Sequence, residues 1–110
     1  KVEKKQEKNN EISEIKSLKI KVRKLSAKDI ETRNLPNQTS GLVITDIAQN
    51  SPINYLKVNN IIIEAQKKKI KSTDDLEKTI AQALKSSEKT ILIVIYNNQN
   101  QRRYIGVKLD

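Results

Sequence analysis

The sequence contains no cysteine, histidine, methionine, tryptophan or phenylalanine, and only two glycines and two prolines. Without cysteine there is neither a disulfide nor thiol chemistry. Without histidine as well, Ser-His-Asp and Cys-His catalysis and the usual zinc ligand sets are excluded. Two isolated glycines cannot build a phosphate-cradling loop, and no clustered ligand set offers a metal site. The chain is therefore expected to be non-catalytic by itself and to carry no cofactor. No apolar run approaches the roughly 20 residues of a membrane span, and no signal peptide is legible. The chain starts at Lys1 rather than at a methionine, which suggests a piece of something longer.

What is abundant is lysine. The 22 basic residues exceed the 13 acidic ones, for a net charge of +9. That balance invites a nucleic-acid reading. Yet eighteen lysines, sixteen isoleucines and eleven asparagines together match the bias of an AT-rich coding sequence, which raises lysine at any solvated position. Aromatics for base stacking reduce to Tyr55, Tyr96 and Tyr104, and charge without stacking or a recognition motif is weak support. Nucleic acid is not the expected partner.

At 110 residues the chain suffices for one modest core and a tail. Residues 1–13 are almost wholly polar and read as a charged linker or tail, with the domain proper over 14–110. From Leu18 to Lys24, Leu18, Ile20 and Val22 alternate with basic residues, the pattern of a half-buried strand. Its basic outer face suits a sheet edge. Ser26 caps a short helix over 27–33, ended by Leu35-Pro36. Gly41 precedes a central strand, Leu42 to Ile47. Asn50-Ser51-Pro52 announces a helical turn over 53–57. Asn59 or Asn60 takes a left-handed turn. Ile61-Ile62-Ile63 forms a buried strand, Lys67-Lys68-Lys69 a basic turn, and Ser72 or Thr73 caps the main helix, which carries Leu76, Ile80, Ala83 and Leu84 on one stripe. Thr90 to Tyr96 is the most continuous apolar strand. Asn97 to Asn100 turns it into a last strand, Gln101 to Leu109, in which Gly106 marks a bulge or close contact. The sum is a β-rich α+β domain of five or six mostly antiparallel strands, a sandwich or partial barrel, with one main helix and one or two short ones.

Acidic candidates have structural explanations. Asp74 and Asp75 sit at a helix N-terminus, where the helix dipole favours them. Asp46 and Glu64 are placed to pair with lysines across the sheet. The lysine turn reads as a solvated tip. What remains is a groove between the strand at Leu18 and the main helix. An extended peptide can add its backbone to the strand edge and rest an apolar terminal side chain between strand and helix. Backbone N–H groups around Ser17 to Lys19, with Lys16 or Lys19 nearby, suit a terminal carboxylate. The candidate peptide-binding residues are Lys16, Ser17, Leu18, Lys19, Ile20, Lys21 and Val22 on the strand side, and Leu76, Thr79, Ile80 and Ala83 on the helix. Helical geometry cannot turn all four outward, so Leu84 and one or two of them belong to the core.

These residues carry a family resemblance. Gly41-Leu-Val-Ile-Thr, Asn50-Ser-Pro, Asn60-Ile-Ile-Ile-Glu, Ile70-Lys-Ser-Thr-Asp-Asp-Leu and Ile91-Leu-Ile-Val-Ile follow the order of a PDZ domain in its bacterial, permuted arrangement. The stretch from Leu18 to Gly41 resembles the opening of the second, C-terminal PDZ domain of HtrA/DegP-type serine proteases. The resemblance spans roughly residues 14 to 110. It implies a PDZ-like fold and a serine endopeptidase parent whose catalytic domain lies upstream, in the periplasm or cell envelope. It also implies two kinds of partner: C-terminal or exposed apolar peptide segments, and PDZ or protease domains of neighbouring subunits. The family's Gly-Asp turn is Asn59-Asn60 here, and the loop after Ser51-Pro52 is shorter than usual. Lys19 stands where glycine is common, which favours assembly or weak recognition over a high-affinity site. The competing reading is a purely structural oligomerisation domain with the groove closed or unused, and nucleic-acid binding stands third.

Overall fold

The computed structural model describes residues 12–87 and 89–109. The expected linker over 1–13 lies outside them except for Ile12 and Ser13. Those two residues begin a strand, β1 (Ile12–Ile15), that alternation alone does not announce. The chain continues through β2 (Ile20–Lys24), helix α1 (Ala27–Thr32), β3 (Leu42–Ile47), β4 (Ile61–Ala65), the two-residue β5 (Lys68–Lys69), helix α2 (Thr73–Lys85), β6 (Thr90–Tyr96) and β7 (Arg102–Lys108). All pairings are antiparallel. They build one open sheet in the order β1-β2-β3-β4-β6-β7, with β5 hairpinned onto β4.

The expected α+β architecture is the one observed, and its local causes can be read residue by residue. Ser26 accepts the backbone N–H of Asp29, and the Asp29 carboxylate accepts the N–H of Ser26 in return, a reciprocal cap that starts α1. Ser72 starts α2 by accepting from Asp75, while the Asp75 carboxylate takes the N–H of Lys71. Gln66 and Lys67 both have positive φ, 53° and 68°, so the basic turn is a two-residue hairpin twisted to match its strands. Asn59 is the left-handed residue of its turn, with φ 79°.

Because side chains alternate across strands, the central strands bury both faces. Leu42, Ile44, Ile62, Ile91, Ile93 and Ile95 join the larger cluster with Leu76, Ile80 and Ala83 of α2. Val43, Ile61, Ile63 and Val94 form the smaller cluster, where Leu35 closes over them and Ile30 of α1 packs alongside. This double burial explains why β4 and β6 read as continuous apolar runs.

Several expectations need correction. Residues 53–57 form turns rather than a helix: the backbone bonds there span three residues, from Asn54 N–H to the Ser51 carbonyl and from Leu56 N–H to the Ile53 carbonyl, while the Ser51 hydroxyl accepts from Ile53 and donates to a distant carbonyl. Gly106 makes neither a bulge nor a close contact. It pairs in register with Leu92, and a Cβ placed there meets nothing within 4 Å. Gly41 is the glycine with a steric reason: a Cβ on it would come within 2.5 Å of the Ile62 carbonyl oxygen. Most consequential, the expected edge strand at Leu18–Val22 begins at Ile20 and is not an edge. β1 lies against it in register, Ile15 opposite Ile20 and Ile12 opposite Arg23.

Candidate functional site

The open cleft on this face lies between α2 and β1 with the turn that joins β1 to β2, and the groove between β2 and α2 lies behind β1. Leu18 donates its N–H to the Ile15 carbonyl at 3.2 Å, and Lys19 donates to the Lys16 carbonyl at 3.2 Å. Lys19 has φ 55°, the left-handed region where glycine is at ease and other residues are strained. Buried Ser51 braces the turn from behind: its hydroxyl donates to the Leu18 carbonyl at 2.5 Å. The Lys19 carbonyl accepts from Ala48 at 3.0 Å.

On the helix side, Glu77, Ile80, Ala81 and Leu84 present one stripe at i, i+3, i+4 and i+7 spacing. They face Glu14, Ile15, Lys16 and Ser17 across a cleft of about 340 Å³. Ile15 is 1% exposed and belongs to the main core cluster with Leu18, Ile20 and Ile80. The place between strand and helix is thus filled by a side chain of β1, an extended segment running antiparallel to β2.

The proposed site residues divide by burial. Lys16, Ser17, Lys19 and Lys21 are exposed, whereas Leu18, Ile20, Val22, Leu76, Thr79, Ile80 and Ala83 are buried. Lys16, Ser17 and Ile80 meet at the cleft. Leu18, Ile20, Val22, Leu76, Ile80 and Ala83 share the core cluster. Thr79 turns aside to a separate hollow beside Lys71 and Gln82, with its hydroxyl bonded to the Asp75 carbonyl. The expectation that Leu84 belongs to the core is reversed. It is exposed and lines the cleft mouth.

Sequence reading missed Ile15, Ala81, Leu84 and Ser51 as parts of this site. A signal for the helix residues existed in the stripe 77–80–81–84, one residue out of phase with the core stripe. For Ile15 there was none, because Ile12 and Ile15 are three apart and do not alternate.

The charge around the cleft is mixed. Lys21 stands in register between Glu14 of β1 and Asp46 of β3, and Glu77 lines the helix side. At the far end of β2, Arg23 grips Asp29 through two hydrogen bonds of 2.7 and 3.0 Å. That guanidinium, with help from Ser26, holds the Asp29 carboxyl well below the usual carboxylate range. Among the described residues, no group of three or more metal-ligating side chains is gathered, and no helix is long and apolar enough to cross a membrane.

Neither a family model nor a curated protein matches the sequence. Among solved structures, the fold is similar to that of the HtrA-type protease AlgW, in a structure with a decapeptide. The TM-score is 0.64 at 19% identity, over 84% of this chain and 28% of that one. The chain thus has a PDZ-like α+β fold and spans under a third of the length of the protease it matches.

Proposed function

We propose that this chain is a non-catalytic module of an HtrA/DegP-like serine endopeptidase that receives a partner's extended, apolar-ended segment in the groove between β2 and α2. The observation that carries the reading is that this groove already accepts an extended strand. β1 pairs antiparallel with β2 and seats Ile15 against Ile20 and Ile80, the arrangement that β-strand addition uses. The N–H groups of Leu18 and Lys19, which bond chain carbonyls, are the donors a terminal carboxylate would use. The likeness to a protease whose structure includes a decapeptide supports both the peptide and the protease parent. By the same likeness the setting is the periplasm or cell envelope, and contacts with neighbouring subunits are a second role for the module.

Titration of the isotopically labelled chain with free-C-terminus peptides, followed by backbone amide NMR, tests this. Shifts confined to residues 12–22 and α2 are the expected result. Silence there, with shifts elsewhere that grow with protein concentration, would instead establish a purely structural assembly domain.

A further inference from the structure

We infer that β1 is an intramolecular occupant of the groove between β2 and α2, its outer side lining the open cleft, and that an incoming peptide must displace it; the inference rests on the peptide reading above. The structure supplies three reasons. First, β1 occupies the exposed side of β2, so no added strand can pair there while β1 remains. Second, its last residue fills the apolar place: Ile15 is buried, and its carbonyl takes the Leu18 N–H that a ligand's carboxylate would need. Third, β1 is weakly anchored. Of its four residues only Ile15 is buried, while Ile12 is 54% exposed and Glu14 is solvated.

A four-residue edge strand with one buried side chain opens locally more easily than the sheet behind it. The connecting turn adds to this tendency, since it places non-glycine Lys19 at φ 55°. A ligand that needs the open form sees its affinity reduced by the fraction of chains that are open. The occupant also indicates what displaces it: a segment ending in a β-branched aliphatic residue of isoleucine's size, with a free carboxylate.

The test uses the full chain and a fluorescein-labelled decapeptide ending in Ile-Ser-Glu-Ile with a free carboxylate, read by fluorescence anisotropy. Ile15→Ser removes the anchor of β1 and leaves the facing walls intact. It is expected to bind the peptide at least tenfold more tightly than the unsubstituted chain, and amidation of the peptide is expected to erase that gain. A second variant covers the case in which Ile15→Ser fails to fold. Glu14 and Lys21 face each other in register, and directly opposed residues of an antiparallel pair lie within disulfide reach. In a chain otherwise free of cysteine, Glu14→Cys with Lys21→Cys locks β1 in place when oxidised. Binding is expected to vanish on oxidation and return on reduction. Equal affinity in every form overturns the occupancy of the groove by β1 and leaves the peptide reading standing. If neither Ile15→Ser nor the reduced pair binds this peptide or any member of a free-C-terminus library, both readings fall.

Discussion

Thr45 shows how a single side chain can sit at a cost. The pairing of β2 with β3 skips a residue there, since Lys21 faces Asp46 while Val22 faces Ile44. The unmatched Thr45 buries its Oγ1 without a hydrogen-bond partner among the described residues. A buried hydroxyl without a partner costs about 1–3 kcal/mol, and valine keeps the branched shape the strand wants. Thr45→Val is therefore expected to stabilise the chain by about 1 kcal/mol, seen as a higher urea midpoint with an unchanged slope. Asp29 works in the opposite sense. Its carboxyl titrates below the ordinary aspartate value because Arg23 and Ser26 bond the charged form. A depressed folded value means that its stabilisation is fully present above roughly pH 5. It drains away as the pH falls through about 3.9 towards the lower folded value. Asp29→Asn is expected to lose about 1–3 kcal/mol at neutral pH and to flatten the acid limb of the stability curve measured by urea melts between pH 2 and 7.

Helix α2 serves two neighbours, and its sequence pattern could not separate them. Leu76, Ile80 and Ala83 are buried against β6 and the rest of the core, whereas Ile80, Ala81 and Leu84 face the cleft. Hydrophobic periodicity places an apolar residue on a face but does not say whether that face meets the core or a groove. Periodicity therefore places Leu84 with the core, whereas the fold turns it to the cleft mouth. The contrast predicts two different phenotypes. Leu76→Ala should cost about 2–5 kcal/mol in a urea melt, since it opens a cavity in the core. Leu84→Ala should cost less than about 1 kcal/mol, yet weaken capture of the peptide ending in Ile-Ser-Glu-Ile. Equal losses of stability in the two variants would refute the division of the helix. The elements that were legible, β3, β4, α2, β6 and β7, each carry their own period, cap or turn residues. β1 was not legible, because its existence depends on pairing with β2 rather than on any pattern of its own. The strand next to it was consequently read as an edge. Ser51 was read as a cap for a helix, and its bond to the Leu18 carbonyl 33 residues upstream is visible only in the fold.

The whole molecule carries nine excess positive charges, and what they do depends on where they are spent. All four arginines donate within the chain. Arg23 holds Asp29, and Arg33 clips the end of α1 to the carbonyls of Asn59 and Asn97 and to the side chain of Asn100. Arg102 pairs with Glu64 at 3.0 Å and lies 5.6 Å from the centre of the Tyr104 ring, and Arg103 bonds Gln101. The cations best suited to bidentate phosphate or guanine recognition are thus engaged internally. The remaining positive charge belongs to lysines, among them Lys68, Lys69, Lys71 and Lys78 around one hollow. The exposed rings, Tyr55 and Tyr104, lie on separate elements, and Tyr104 already has its arginine neighbour. A surface of this kind attracts nucleic acid only through general electrostatics, which fades steeply as salt rises. Fluorescence anisotropy with a labelled duplex should therefore show weak, sequence-independent binding at about 50 mM salt that is lost by about 200 mM. The proposed peptide capture, which would rest on ladder bonds and a buried aliphatic side chain, should persist over the same range. Duplex binding that survives the higher salt, or that favours one sequence over another, would overturn this reading of the charge as non-specific.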